Sequence, residues 1–140
     1  MLPRIISDRD ESWGSDARPR VRGRRGEEVS RFMDVVATKL HVRRYCKQTI
    51  SKESIRALLQ AAMAAHSEGD ERPWHFVVVE DLAMRERIVE THPTAHIVVQ
   101  APAVILVCGD PALQKHPGFW VQDCAAATEN ILRSPDFREY

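Results

Sequence analysis

Residues 51–80 read SKESIRALLQAAMAAHSEGDERPWHFVVVE, a helix, a polar loop and a strand in succession. Ser51 is a good N-cap, and Glu53 falls in the first turn, where the helix dipole favours a negative charge. Ile55, Leu58, Leu59, Ala62 and Met63 recur at helical spacing, which predicts a helix over 52–65. Trp74 to Glu80 is rich in β-branched and aromatic residues and predicts a strand. Between them lies the polar stretch from His66 to Trp74, at an element end where binding residues concentrate. Ser67, Asp70 and Arg72 can offer donors and acceptors there to a polar heterocycle. The same stretch also reads as a plain connection between helix and strand, with Pro73 fixing how the strand leaves it.

Toward the C-terminus, Asp81 caps a second helix whose Leu82, Arg85, Ile88 and Val89 form a narrow stripe, and His92-Pro93 ends it. Ala103 to Cys108 (AVILVC) is apolar throughout, the pattern of a central strand covered on both faces, and Gly109-Asp110-Pro111 stops it. Phe119 to Leu132 predicts a third helix, with Trp120, Cys124, Ala127 and Ile131 on one face. Ala125, Ala126, Thr128 and Leu132 widen that face, so this helix is expected to be mostly buried.

Toward the N-terminus, Asp34 can cap a short helix carrying Val35, Val36 and Leu40. The stretch KLHVRRY follows at 39–45, where Lys39, Arg43 and Arg44 could gather charge around one phosphate, with His41 as a further donor. A solvated basic face is the other reading of the same residues. Residues 1–32 are different in kind. Arg18, Arg20, Arg22, Arg24 and Arg25 crowd together with Pro19, Gly23 and Gly26, and few large apolar residues accompany them. Such a stretch buries too little apolar surface to offset its ordering entropy, and a disordered tail is expected over 1–32. The run from Arg18 to Arg25 has no aromatic residues among its arginines, and the stretch carries Asp8, Asp10, Glu11, Asp16, Glu27 and Glu28. A nucleic-acid arm is therefore not expected.

The whole chain of 140 residues is 44% apolar and 29% charged, with a formal net charge of zero. It is large enough for one domain with a core, and its charge gives no general pull toward nucleic acid or an anionic membrane. Its longest apolar run is too short to span a bilayer, and Met1 to Pro19 lacks the apolar segment of a signal peptide. Cys46, Cys108 and Cys124 are odd in number and widely spaced, as expected of small buried thiols in a reducing cytosol. No Gly-rich phosphate loop follows a strand, and no G-x-S-x-G occurs. His92 and His96 are four apart, but Pro93 interrupts them and no ligand set is completed, so no metal is expected. The element order α, α, β, α, β, α predicts an α+β fold, a mixed sheet flanked by helices.

The two polar segments, with WHFVVVED, APAVILVCGD and WVQDCAAATENIL, together resemble the nitroreductase family from Met33 to Leu132. The family pattern is an R-R-S-x-R-x-[FY] start, a helix ending in A-A-x-x-A-P-S-x-x-[ND]-x-x-P-W, then F-x-V-V, A-P-x-x-I-x-V, and a long helix with Q-D-x-x-A-A-x-x-N-x-L. The cysteine usage above implies a cytoplasmic location, and the resemblance implies a homodimer holding FMN at the subunit interface. It implies hydride transfer from NAD(P)H through the flavin to an electron-poor small-molecule acceptor such as a nitroaromatic or a quinone. The cofactor carries that chemistry, so no catalytic acid or base is nominated. By position, Lys39, Leu40, His41 and Arg43 fall on the start motif that meets the FMN phosphate and ribityl chain. Lys39 replaces an Arg, Leu40 a basic or polar residue, and His41 the usual Ser. Ser67 matches, with His66 in place of the common Pro. Asp70 stands where Asn or Asp meets the flavin ring, and Arg72 where Gln or Arg lies near the ribityl chain or ring edge. Asp123 and Asn130 match helix positions with a structural role. These assignments require the turn near 43 and the loop near 70 to grip one FMN. After Leu132 the family continues with a G-L-G-x-x-W segment, another strand and a clasping extension. Here Arg133 to Tyr140 follow, and an incomplete form of the fold over 33–140 is expected. The alternative function is a non-catalytic remnant, an apo dimerisation or flavin-binding module.

Overall fold

The computed structural model describes residues 4–7, 45 and 48–134. Helix α1, Lys52–Met63, begins where Ser51 accepts a hydrogen bond from the Ser54 amide at 3.0 Å, and it buries Ile55, Leu58, Leu59 and Ala62 on one face. Strand β2, Trp74–Val79, turns Trp74, Phe76 and Val78 toward that face by its two-residue alternation. The rings of Trp74 and Phe76 meet at a centroid separation of 6.4 Å. Each side chain of this size, fully buried, contributes about 1.5–3 kcal/mol of transfer free energy.

Strand β3, Val104–Gly109, pairs antiparallel with β2, setting Val107 opposite Phe76 and Ile105 opposite Val78. Strand β1, Arg4–Ser7, pairs antiparallel with the other edge of β2, so the sheet order is β1-β2-β3. Helix α3, Trp120–Arg133, packs on α1 and crosses the same sheet face, burying Ala127 and Ile131 in the shared core. Helix α2, Leu82–Thr91, is followed by a 3-10 segment, Pro93–Val99. At the end of β3, Gly109 lies under the Trp120 ring, where any Cβ would collide.

Helices packed on a sheet were expected, and four differences of detail stand beside that agreement. The described strands pair only antiparallel, without the parallel pair of a mixed sheet. Residues 4–7 form a strand inside the stretch expected to be a tail, because their backbone supplies partners to an edge of β2. Strand β3 is not central among the described residues. It is partly buried along its length, and Cys108 is exposed rather than buried. An apolar run reports hydrophobicity and not the number of neighbours. Helix α3 likewise leaves Val121 and Leu132 exposed, so its wide apolar face is only partly covered.

Candidate functional site

The loop between α1 and β2 is built around side chains that point inward. Ser67 is 1% exposed, and its Oγ accepts the Arg72 amide at 3.1 Å. The Glu68 amide donates to Oδ1 of Asp123, a buried carboxylate on α3, at 3.2 Å. The Pro73 carbonyl accepts the Asp110 amide at 2.8 Å, tying the loop to the end of β3. A 3-10 turn, Glu68–Asp70, opens the loop, and three of its residues have left-handed backbone: Gly69 at φ 57°, Asp70 at φ 54° and Arg72 at φ 50°. Glycine adopts this region freely, whereas a strained non-glycine residue costs on the order of 1–3 kcal/mol and persists only where its surroundings fix it. Asp is among the residues that tolerate it best, and Arg is not.

Glu71 supplies much of that fixing. Its side chain is 4% exposed. Oε2 accepts the amides of Lys115 and His116 at 2.8 and 3.4 Å, and Oε1 lies 2.7 Å from Nδ1 of His116. Burial raises the Glu71 carboxyl pKa, but the Lys115 amide, the His116 ring and the His116 amide together outweigh burial and hold it below the ordinary carboxylate value. With Glu71 drawn inward, its neighbours Asp70 and Arg72 stand toward solvent, joined by Arg72 Nε donating to Asp70 Oδ1 at 2.9 Å.

Of the residues singled out in the sequence, Ser67, Asp70 and Arg72 are therefore brought together in one loop, with Ser67 as an internal brace and the other two at the rim. Lys39, Leu40, His41 and Arg43 lie outside the described residues. Asp123 holds the loop, and Asn130 donates from Nδ2 to the Ala61 carbonyl at 3.0 Å, so both act on the scaffold. Glu71 was not singled out. A carboxylate in a polar stretch looks like a solvated charge until the chain returns to it at Lys115. Cys124 is no activated thiol, since burial, then the charge of Asp123 and the nearby Cys108, push its pKa up.

At the other end of α1, Tyr45, Ile50, Ile55, Ala101, Thr128 and Leu132 are among the walls of an open apolar cleft of about 240 Å³. The α1–α3 pair runs from this cleft to the polar loop. Asp123 and Glu68 mark the loop end, and Ile55 and Leu132 the cleft end. Burial raises the Tyr45 phenol pKa.

The nitroreductase family model matches residues 40–115, just over half of the chain. The chain belongs to the nitroreductase family. A protein of Methanothermobacter thermautotrophicus carrying the provisional name NADH dehydrogenase/NAD(P)H nitroreductase is 46% identical over 100 residues, 71% of this chain and 52% of that protein. A protein of Archaeoglobus fulgidus with the same name is 46% identical over 101 residues, covering 71% and 58%. The chain thus spans about half the length of these curated relatives. A solved structure from Parabacteroides distasonis, again provisionally so named, superposes with a TM-score of 0.70 at 32% identity, covering 76% of this chain and 62% of that one. A nitroreductase structure from Desulfovibrio desulfuricans, in complex with FMN, gives 0.65 at 28% identity, covering 72% and 59%.

The loop fits one edge of a flavin by its donor set. Asp70 offers an acceptor for a ring N–H, Arg72 offers fixed donors for carbonyl or hydroxyl oxygens, and both are held on a braced backbone at the surface.

Proposed function

We propose that this nitroreductase-family chain is an FMN-dependent oxidoreductase that draws electrons from NAD(P)H and passes them to an electron-poor acceptor such as a nitroaromatic or a quinone. The observation that carries this reading is the braced loop with Asp70 and Arg72 turned outward from left-handed backbone. A plain connection between helix and strand has no need of such strain. Bound FMN would supply the two-electron chemistry. The chain's own residues bind and orient. Asp70 accepts from the ring, Arg72 donates to the ring edge or ribityl chain, and Ser67, Glu71 and Asp123 keep both in place. Lys39, Leu40, His41 and Arg43 are assigned to the phosphate and ribityl end, where Arg43 supplies the bidentate contact and Lys39 a point charge.

The reading includes a homodimer. Tyr45, two residues after Arg43, borders the cleft at the first half of α1, whereas the polar loop leaves its last turn. A helix of 12 residues is roughly 18 Å long at 1.5 Å per residue. We therefore assign the phosphate end and the ring end of one FMN to two copies, one segment from each.

The test is flavin content. The purified chain, incubated with FMN and freed of excess, should keep flavin absorption, bleach under NADH or NADPH without oxygen, and regain colour when a quinone or nitroaromatic is added. A colourless protein that takes up no FMN overturns the enzyme reading.

A further inference from the structure

We propose that Glu71 is the positioning residue of the cofactor loop, acting by clamping the segment at Lys115–His116 so that Asp70 and Arg72 face outward. The inference rests on the flavin reading above for its purpose and on the structure for its geometry. Exposed ion pairs are weak organisers, worth little in high dielectric. This one differs, because the carboxylate is nearly enclosed and accepts two backbone amides as well as the imidazole N–H. Charge-assisted bonds to backbone amides are among the stronger ones a carboxylate makes.

The partner segment is itself fixed. Oε1 of Gln114 accepts the amides of Gly118 at 3.0 Å and Trp120 at 3.2 Å, and Trp120 begins α3 against Gly109. Glu71 therefore anchors the loop to a turn that the sheet and α3 already hold. Gly69 completes the arrangement from above. A Cβ there would stand 3.2 Å from Oε1 of Glu71 and 3.3 Å from Nδ1 of His116, so the pair occupies the space a side chain would need. The titratable and charged groups on the elements meeting here are Lys115 and His116, His66, Glu68, Asp70 and Arg72 of the loop itself, and Asp123, Cys124, Glu129 and Arg133 of α3.

The experiment compares the full chain with E71A and E71Q in two readouts: FMN affinity by quenching of flavin fluorescence, and the rate of trypsin cleavage after Lys115. Circular dichroism checks that each variant is folded. E71A loses the whole clamp and should bind FMN roughly tenfold or more weakly, with faster cleavage at Lys115. E71Q keeps the shape without the charge and should fall between E71A and the unaltered chain. Because the Glu71 pKa is lowered in the folded chain, its contribution is complete at neutral pH and lost as pH falls through that lowered value. The ratio of the E71Q dissociation constant to that of the unaltered chain should therefore exceed one at neutral pH. It should close toward one only in acid, below the ordinary carboxylate range, and ionisation of the FMN phosphate cancels in the ratio. A merely structural role for Glu71 would not give that profile with rescue by Gln. Unchanged FMN affinity and unchanged cleavage in both variants overturn the clamp. No FMN uptake by any of the three, with Lys115 cleaved faster in E71A, keeps the clamp and overturns the flavin reading instead.

Discussion

Gly69 shows how much one backbone angle carries. Its φ of 57° suits glycine, and the space beside it is taken by Glu71 and His116. An L side chain in left-handed backbone costs roughly 1–2 kcal/mol before any contact is considered. G69A should therefore lower stability by at least about that amount in urea unfolding. It should also weaken FMN uptake, because the added methyl presses on the clamp. A stability equal to that of the unaltered chain would mean that the loop relaxes and that its strain has no role. Single residues were unevenly legible. Ser67, Asp70 and Arg72 stood out as polar groups at an element end. Glu71 had the same outward signs as the exposed Glu80 or Glu90, since only the return of the chain at Lys115 separates an enclosed carboxylate from a solvated one.

Among the elements, α2 departs furthest from its apparent pattern. Leu82 of its stripe is 49% exposed, whereas Arg85 is 8% exposed. The Arg85 guanidinium donates from Nη1 to the carbonyls of Val98 at 3.4 Å, Val99 at 3.2 Å and Ala101. It closes the end of the 3-10 segment Pro93–Val99, whose Ile97 and Val98 line the cleft with Ala101. R85M keeps the length and apolar stem but removes all three bonds, of which the one to the Ala101 carbonyl is buried. Each buried acceptor left unsatisfied costs about 1–3 kcal/mol, so R85M should destabilise by at least that much in chemical denaturation, although it makes the stripe more hydrophobic. A gain in stability would show that burial of the cation outweighs its hydrogen bonds. Periodicity was reliable for α1 and β2, where one face meets one core. It was less so for β3 and α3, whose outer faces are partly exposed among the described residues.

At the scale of the molecule, the proposed two-copy site makes a prediction that single variants cannot. R43A and R72A should each bind FMN poorly. Mixed in equal amounts and allowed to exchange subunits, half of the dimers pair one of each, and one site of every such dimer then has both arginines. About a quarter of all sites should regain FMN, as the symmetry of a two-fold dimer requires. If both segments of one chain served the same FMN, mixing would restore nothing. The sequence by itself determined where α1, α2, α3, β2 and β3 run and which loop carries the polar groups, because side-chain periodicity, caps and turn residues act over a few positions. Only the tertiary structure decided that Asp123 holds Glu68 across 55 residues and that His116 meets Glu71 across 45. A carboxylate's partner is set by where the folded chain comes back, and no local pattern records that.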